Sequence, residues 1–146
     1  MNKKGFTLIE MISAVALLAL VVVLATFSLS RYLMQGKEKA FNILANSFED
    51  GVLEAFTSCL VNPESSDFCK THQVPEIGER QWIYLSELTK EKEEFVEKFK
   101  NPWNTKEECN PESYVIAIRE NTASLSFKYI TCLKCGDHET PGCTPQ

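Results

Sequence analysis

One stretch limits what this chain can become: Met11–Ser30, twenty consecutive uncharged residues between Glu10 and Arg31. At 1.5 Å per residue a helix of that length spans about 30 Å, roughly the hydrocarbon thickness of a bilayer. No water-soluble domain tolerates such a surface exposed, so a single membrane pass is the direct reading. Ahead of it stand Lys3 and Lys4, then Gly5 and Phe6, and from Phe6 to Ser30 the only charge is Glu10. A carboxylate one turn inside an apolar segment costs a few kcal/mol on insertion, so Glu10 calls for a partner.

Two plainer explanations account for less. A secretory signal has an apolar core of about 7–15 residues and a small-x-small cut site, for which only Ser28-Leu29-Ser30 offers itself. The run is too long for that, and Glu10 is foreign to the pattern. A simple anchor explains the length but not Gly5, Phe6 and Glu10 together.

Those residues carry a resemblance: KKGFTLIEM, followed by an unbroken apolar helix, resembles the class III signal of type IV pilins and type II secretion pseudopilins. Gly5 matches the last leader residue, Phe6 the residue that becomes the methylated N-terminus, and Glu10 the fifth residue after the cut. The resemblance implies cleavage by a prepilin peptidase on the cytoplasmic side and storage in the membrane. It further implies extraction by a pilus assembly machinery into a filament of pilin subunits, with the apolar helices at its centre. A cut after Gly5 would leave the new amine about 6 Å along the helix from Glu10, close enough to pair within one chain or between staggered neighbours.

Lys3 and Lys4 favour the leader end in the cytoplasm, although Arg31, Lys37 and Lys39 beyond the run reduce the asymmetry. The direction therefore rests partly on the resemblance: an inner (cell) membrane chain, single-pass, head outside, then a periplasmic or extracellular filament. About 110 residues remain for that head, enough for one core. The formal charge is −5, and loss of the two leader lysines takes it to −7. No nucleic-acid partner is expected of so acidic a surface. Six cysteines, Cys59, Cys69, Cys109, Cys132, Cys135 and Cys143, all lie in the head, which reads as a disulfide framework in an oxidising compartment.

The expected organisation is a leader at 1–5, an apolar helix at 6–36 and a head at 37–146. From Lys37 the pattern turns amphipathic, with Phe41, Leu44, Ala45, Phe48, Val52, Ala55, Phe56 and Cys59 at helical spacing, so the same helix runs on to residue 61. Asn62-Pro63 ends it. Met11–Gln35 lacks the glycine and proline that many Gram-negative pilins place there, which leaves Gly36 as the one weak point. Residues 62–80 read as an irregular loop, with a Cys59–Cys69 bridge closing its start. Gln81–Leu85 reads as a short strand, and 89–100 as a short charged helix with Thr89 as N-cap.

Asn101-Pro102-Trp103-Asn104 resembles the Asp-Pro-Trp-Gly segment that leads into the sheet of many pseudopilins. Asn101 and Asn104 depart from it, which leaves a calcium site built from Glu107, Glu108 and Glu112 doubtful. Two alternating runs, 113–120 and 124–132, read as antiparallel strands joined at Asn121-Thr122-Ala123. The fold expected is α+β and pilin-like: one long N-terminal helix packed on a small antiparallel sheet, with a disulfide-stapled head. In the tail, Cys132, Cys135, His138 and Cys143 also allow a zinc site. Oxidation competes for the same thiols, and if all six cysteines pair, Cys109 must find a tail partner.

No catalytic pattern emerges: the two histidines lie in loops, and no phosphate loop, nucleophile elbow or HExxH is present. No cofactor is implied. The leading reading is a structural filament subunit. Its rivals are a membrane-tethered binding module with a cysteine-rich head, and a component of a competence-type DNA-uptake pilus.

Overall fold

A computed structural model describes residues 7–64, 66–90, 95–120 and 125–144, apart from the side chains at 27 and 28. Helix α1 spans Leu8–Val61, 54 residues, and its turns continue through Gly36. The chain divides into two units, Met1–Glu38 and Lys39–Gln146. In the first, the large apolar side chains from Leu8 to Leu24 are exposed, the surface of a helix whose natural solvent is not water.

In the second unit the amphipathic half of α1 forms one wall of the core. Phe41, Ala45, Phe48, Val52, Ala55, Phe56 and Cys59 are all buried, with Leu44 packed beside them. The opposing wall is a three-stranded antiparallel sheet in the order β1 (Arg80–Tyr84), β2 (Tyr114–Arg119), β3 (Phe127–Cys132). Strand alternation sends Ile83, Val115 and Ala117 into the core, with Phe127 and Tyr129 packed against it. Phe56 stacks on Phe127, and Phe48 meets Phe99 edge-on. One carboxylate on the polar side of α1, Glu49, is drawn in and accepts a hydrogen bond from the Thr131 hydroxyl.

The sequence expectations differ from the structure at several points. Within the expected loop 62–80 lies a one-turn helix α2, Asp67–Thr71, whose N-cap Ser66 accepts from the Cys69 N–H at 3.0 Å. The charged helix expected at 89–100 is not found: helix α3 is instead Leu85–Leu88, and Thr89 closes it as C-cap. Residues 91–94 of that expectation lie outside the described residues. From Phe95 to Phe99 the chain is irregular, because the amides of Phe95 and Val96 both bond to Leu88 O and their side chains turn onto the core. Tertiary burial of three apolar residues outweighs the helix propensity of the Glu/Lys run. The short strand expected at Gln81–Leu85 is found as β1, one residue earlier, and pairs with β2.

The tail, with His138 expected in a loop, forms a short hairpin, β4 (Lys134–Cys135) with β5 (His138–Glu139), followed by a 3-10 turn at Pro141–Cys143. The hairpin turns through Gly136 at φ +63°, where an added Cβ would also lie 2.8 Å from Asn101 Nδ2. The connection Asn121-Thr122-Ala123 lies outside the described residues.

Candidate assembly site

At the helix start Thr7 and Glu10 form a polar constellation. Glu10 Oε2 accepts from both the N–H of Thr7, at 2.8 Å, and the Thr7 hydroxyl, at 2.9 Å. The Glu10 N–H in turn donates to Thr7 Oγ1 at 3.4 Å. Thr7 is thus the N-cap and Glu10 the N3 residue of a capping box, in which two otherwise orphaned amides are satisfied reciprocally. Among the described residues Oε1 of Glu10 has no hydrogen bond. Sequence reasoning singled out Glu10 and missed Thr7, although Thr7-Leu8-Ile9-Glu10 spells the S/T-x-x-E signature in plain letters. Gly5 and Phe6, the cleavage and methylation candidates, lie outside the described residues.

Three further hydroxyls of the apolar helix are satisfied internally. Ser13 donates to Ile9 O, Thr26 to Val23 O at 2.8 Å, and Ser30 to Thr26 O at 2.9 Å. Such back-bonding lets a serine or threonine sit in hydrocarbon without an external partner.

In the head all six cysteines are paired. Cys59–Cys69 ties the end of α1 to α2, Cys109–Cys135 ties the loop before β2 to β4, and Cys132–Cys143 ties the end of β3 to the 3-10 turn. The same pattern takes up the thiols of the candidate zinc set. Cys132, Cys135 and Cys143 are spent in bridges and offer no thiolate, while the His138 ring lies flat on Trp103 with centroids 3.5 Å apart. No group of His, Cys, Asp or Glu among the described residues is placed to hold a metal. Asn101 is buried and accepts from the Trp103 N–H at 2.9 Å, an Asx turn that sets the bend before the sheet.

His72, also buried, uses both ring nitrogens to join three segments. Gln81 Nε2 donates to Nδ1, and Nε2–H donates to Glu87 Oε1, each at 2.9 Å. The second oxygen of Glu87 accepts from the Tyr84 N–H. The imidazole is committed to holding α2, β1 and α3 together, and among the described residues no hydroxyl or thiol nucleophile stands on it.

A membrane-length N-terminal helix, a small antiparallel sheet over its amphipathic continuation and a disulfide-stapled head define a pilin-like α+β protein. Residues 1–26 match the family described as the prokaryotic N-terminal methylation motif, the class III signal of type IV pilins and pseudopilins. No curated protein and no solved structure matches the chain. The motif and the apolar helix that follows it fit a membrane-anchored, pilin-like structural subunit, processed by a prepilin peptidase and assembled with other pilin subunits.

Proposed function

We propose that this chain is a filament subunit that is cut after Gly5, methylated on the new amine of Phe6 and polymerised through its apolar helix. In this reading 1–5 is the leader, 6–36 the membrane span and later the filament core, and 37–146 the head. The chain waits in the inner membrane as a single pass with its head outside, in the oxidising compartment where three disulfides persist. On assembly the exposed apolar surface of α1 moves from lipid to the helices of neighbouring subunits, so the two states differ little in apolar burial. Alignment then depends on polar contacts.

Glu10 supplies such a contact. Its Oε2 serves the helix's own cap, which leaves Oε1 for the ammonium of a neighbour's Phe6. A charge-assisted pair in hydrocarbon is far stronger than in water, so a misregistered subunit loses it outright.

The observation that carries the proposal is the methylation motif running directly into a helix long and apolar enough to cross a membrane. Intact mass spectrometry of the protein from its native host, without reduction, tests it. The expected mass lacks Met1–Gly5, gains one methyl group and lacks six hydrogens for three disulfides. A mass that retains the leader rejects the reading and favours a tethered binding module.

A further inference from the structure

The sheet has a second face that the core does not use. The strand register places three residues in each row across it: Arg80, Ile118 and Lys128; then Trp82, Ile116 and Ile130; then Tyr84, Tyr114 and Cys132. Ile116, though buried, is outside the core cluster, which marks these positions as the face turned away from α1. Trp82 and Tyr84 are 46% and 42% exposed, on an edge strand, and the Trp82 ring lies 4.8 Å from that of Tyr114. The face therefore grades from a cationic row through an apolar row to a row containing two tyrosines. None of its nine positions is a carboxylate, in a protein of formal charge −5.

That gradient is complementary to itself. A two-fold axis lying along the strands would set β1 of one copy over β3 of the other and bring Arg80 against Lys128. An axis across the strands keeps β1 over β1 and reverses the rows, which are about 7 Å apart. Arg80 of each copy then covers Tyr84 of the other, a guanidinium on an aromatic ring, and the two Trp82 rings meet on the axis. Tryptophan, tyrosine and arginine are also the residues that dominate protein interfaces. The isoleucines, without amide or carboxylate neighbours to bind sugar hydroxyls, favour a protein occupant over a glycan.

We propose that this face is a homotypic docking surface that receives the same face of a second copy of the chain, with strands antiparallel across the contact. The area is on the order of 300 Å² per copy, well below the roughly 800 Å² of a stable interface, so a single contact is weak. Repeated along a filament it becomes multivalent, and it then serves to join heads of neighbouring filaments side by side. That last role rests on the filament reading above; the contact itself does not.

Photo-cross-linking of the full-length chain in detergent tests it, with benzoylphenylalanine at position 82 and peptide mapping of the product. The expected product is a dimer linked to Arg80–Tyr84 or Tyr114–Arg119 of the second copy. Arg80→Glu and Tyr84→Lys should each reduce it about tenfold, since each change is counted twice in a symmetric pair. An equal mixture of the two variants should restore it, because glutamate then faces lysine. Three intact disulfides by mass show that each variant's head has folded. A cross-link elsewhere, no cross-linked dimer, or variants that fail to rescue each other would overturn the contact. A correct cross-link from a chain that keeps its leader would leave the contact standing while the filament reading falls.

Discussion

Oε2 of Glu10 accepts two hydrogen bonds from Thr7, one from its backbone N–H and one from its hydroxyl. The carboxylate that looks misplaced in an apolar helix is therefore half-committed to that helix's own first turn. Removing it should weaken the cap by about 1 kcal/mol, a small loss against the apolar surface that holds the segment in a bilayer. Glu10→Ala is expected to reach the membrane fraction at the wild-type level while its yield in sheared filaments drops by an order of magnitude or more. Wild-type filament yield from this variant would remove Glu10 from assembly.

The head disulfides should rank by the loop each closes. Replacing both members of Cys59–Cys69, separated by 10 residues, should cost about 2–3 kcal/mol, and of Cys109–Cys135, separated by 26, about 3–4 kcal/mol. Both tryptophans, Trp82 and Trp103, lie in the head. Denaturant unfolding followed by their fluorescence therefore reports the head without interference from α1's apolar end, and the reverse ranking would count against a loop-entropy origin.

Tyr129 should make stability fall at high pH. Burial first, and then the charges of Glu49 and Asp50, push its phenol up to about 12, and its hydroxyl is buried without a hydrogen-bond partner among the described residues. The unfolded phenol loses its proton near pH 10, so between about 10 and 12 the folded state binds the proton more tightly. Stability is thus fully present below pH 10 and declines as pH rises toward 12. Tyr129→Phe should match or exceed the wild type at pH 8 and show a shallower decline up to pH 11, measured as the shift in denaturation midpoint. Equal slopes would show that the phenol is not perturbed.

Gly51 sets two known effects against each other. Alanine in a helix interior gains about 1 kcal/mol over glycine. At Gly51, however, an added Cβ would run into Val96 Cγ2, a branched side chain with little freedom to turn away. Overpacking costs about 1–3 kcal/mol, so Gly51→Ala should destabilise the head by a net 1 kcal/mol or so. An increase in the denaturation midpoint would show that the 95–96 segment yields freely.

Much of the fold could be read from local pattern. Met11–Ser30 announces a span by length alone, and Phe41 through Cys59 announce a core face by spacing, because helical periodicity is a property of neighbours in sequence. The β2 and β3 runs alternate for the same reason. Where local preference and burial disagreed, local reading went wrong. The Glu/Lys run after Thr89 has helical composition, yet Phe95, Val96 and Phe99 turn onto a core that includes Phe48, Phe56 and Phe68, residues remote in sequence.

The sequence by itself determined the anchor, the methylation motif and the amphipathic scaffold, since each depends on residues within a few turns of one another. Even the Thr7–Glu10 cap was written there. Only the tertiary structure decided which tail cysteine pairs with Cys109, since bonding requires Cβ atoms brought within a few ångströms by the whole head. It also decided that Trp82, Tyr84 and Tyr114 share a face with Arg80 and Lys128. Strand alternation names two faces, but only packing against α1 chooses which of them enters the core.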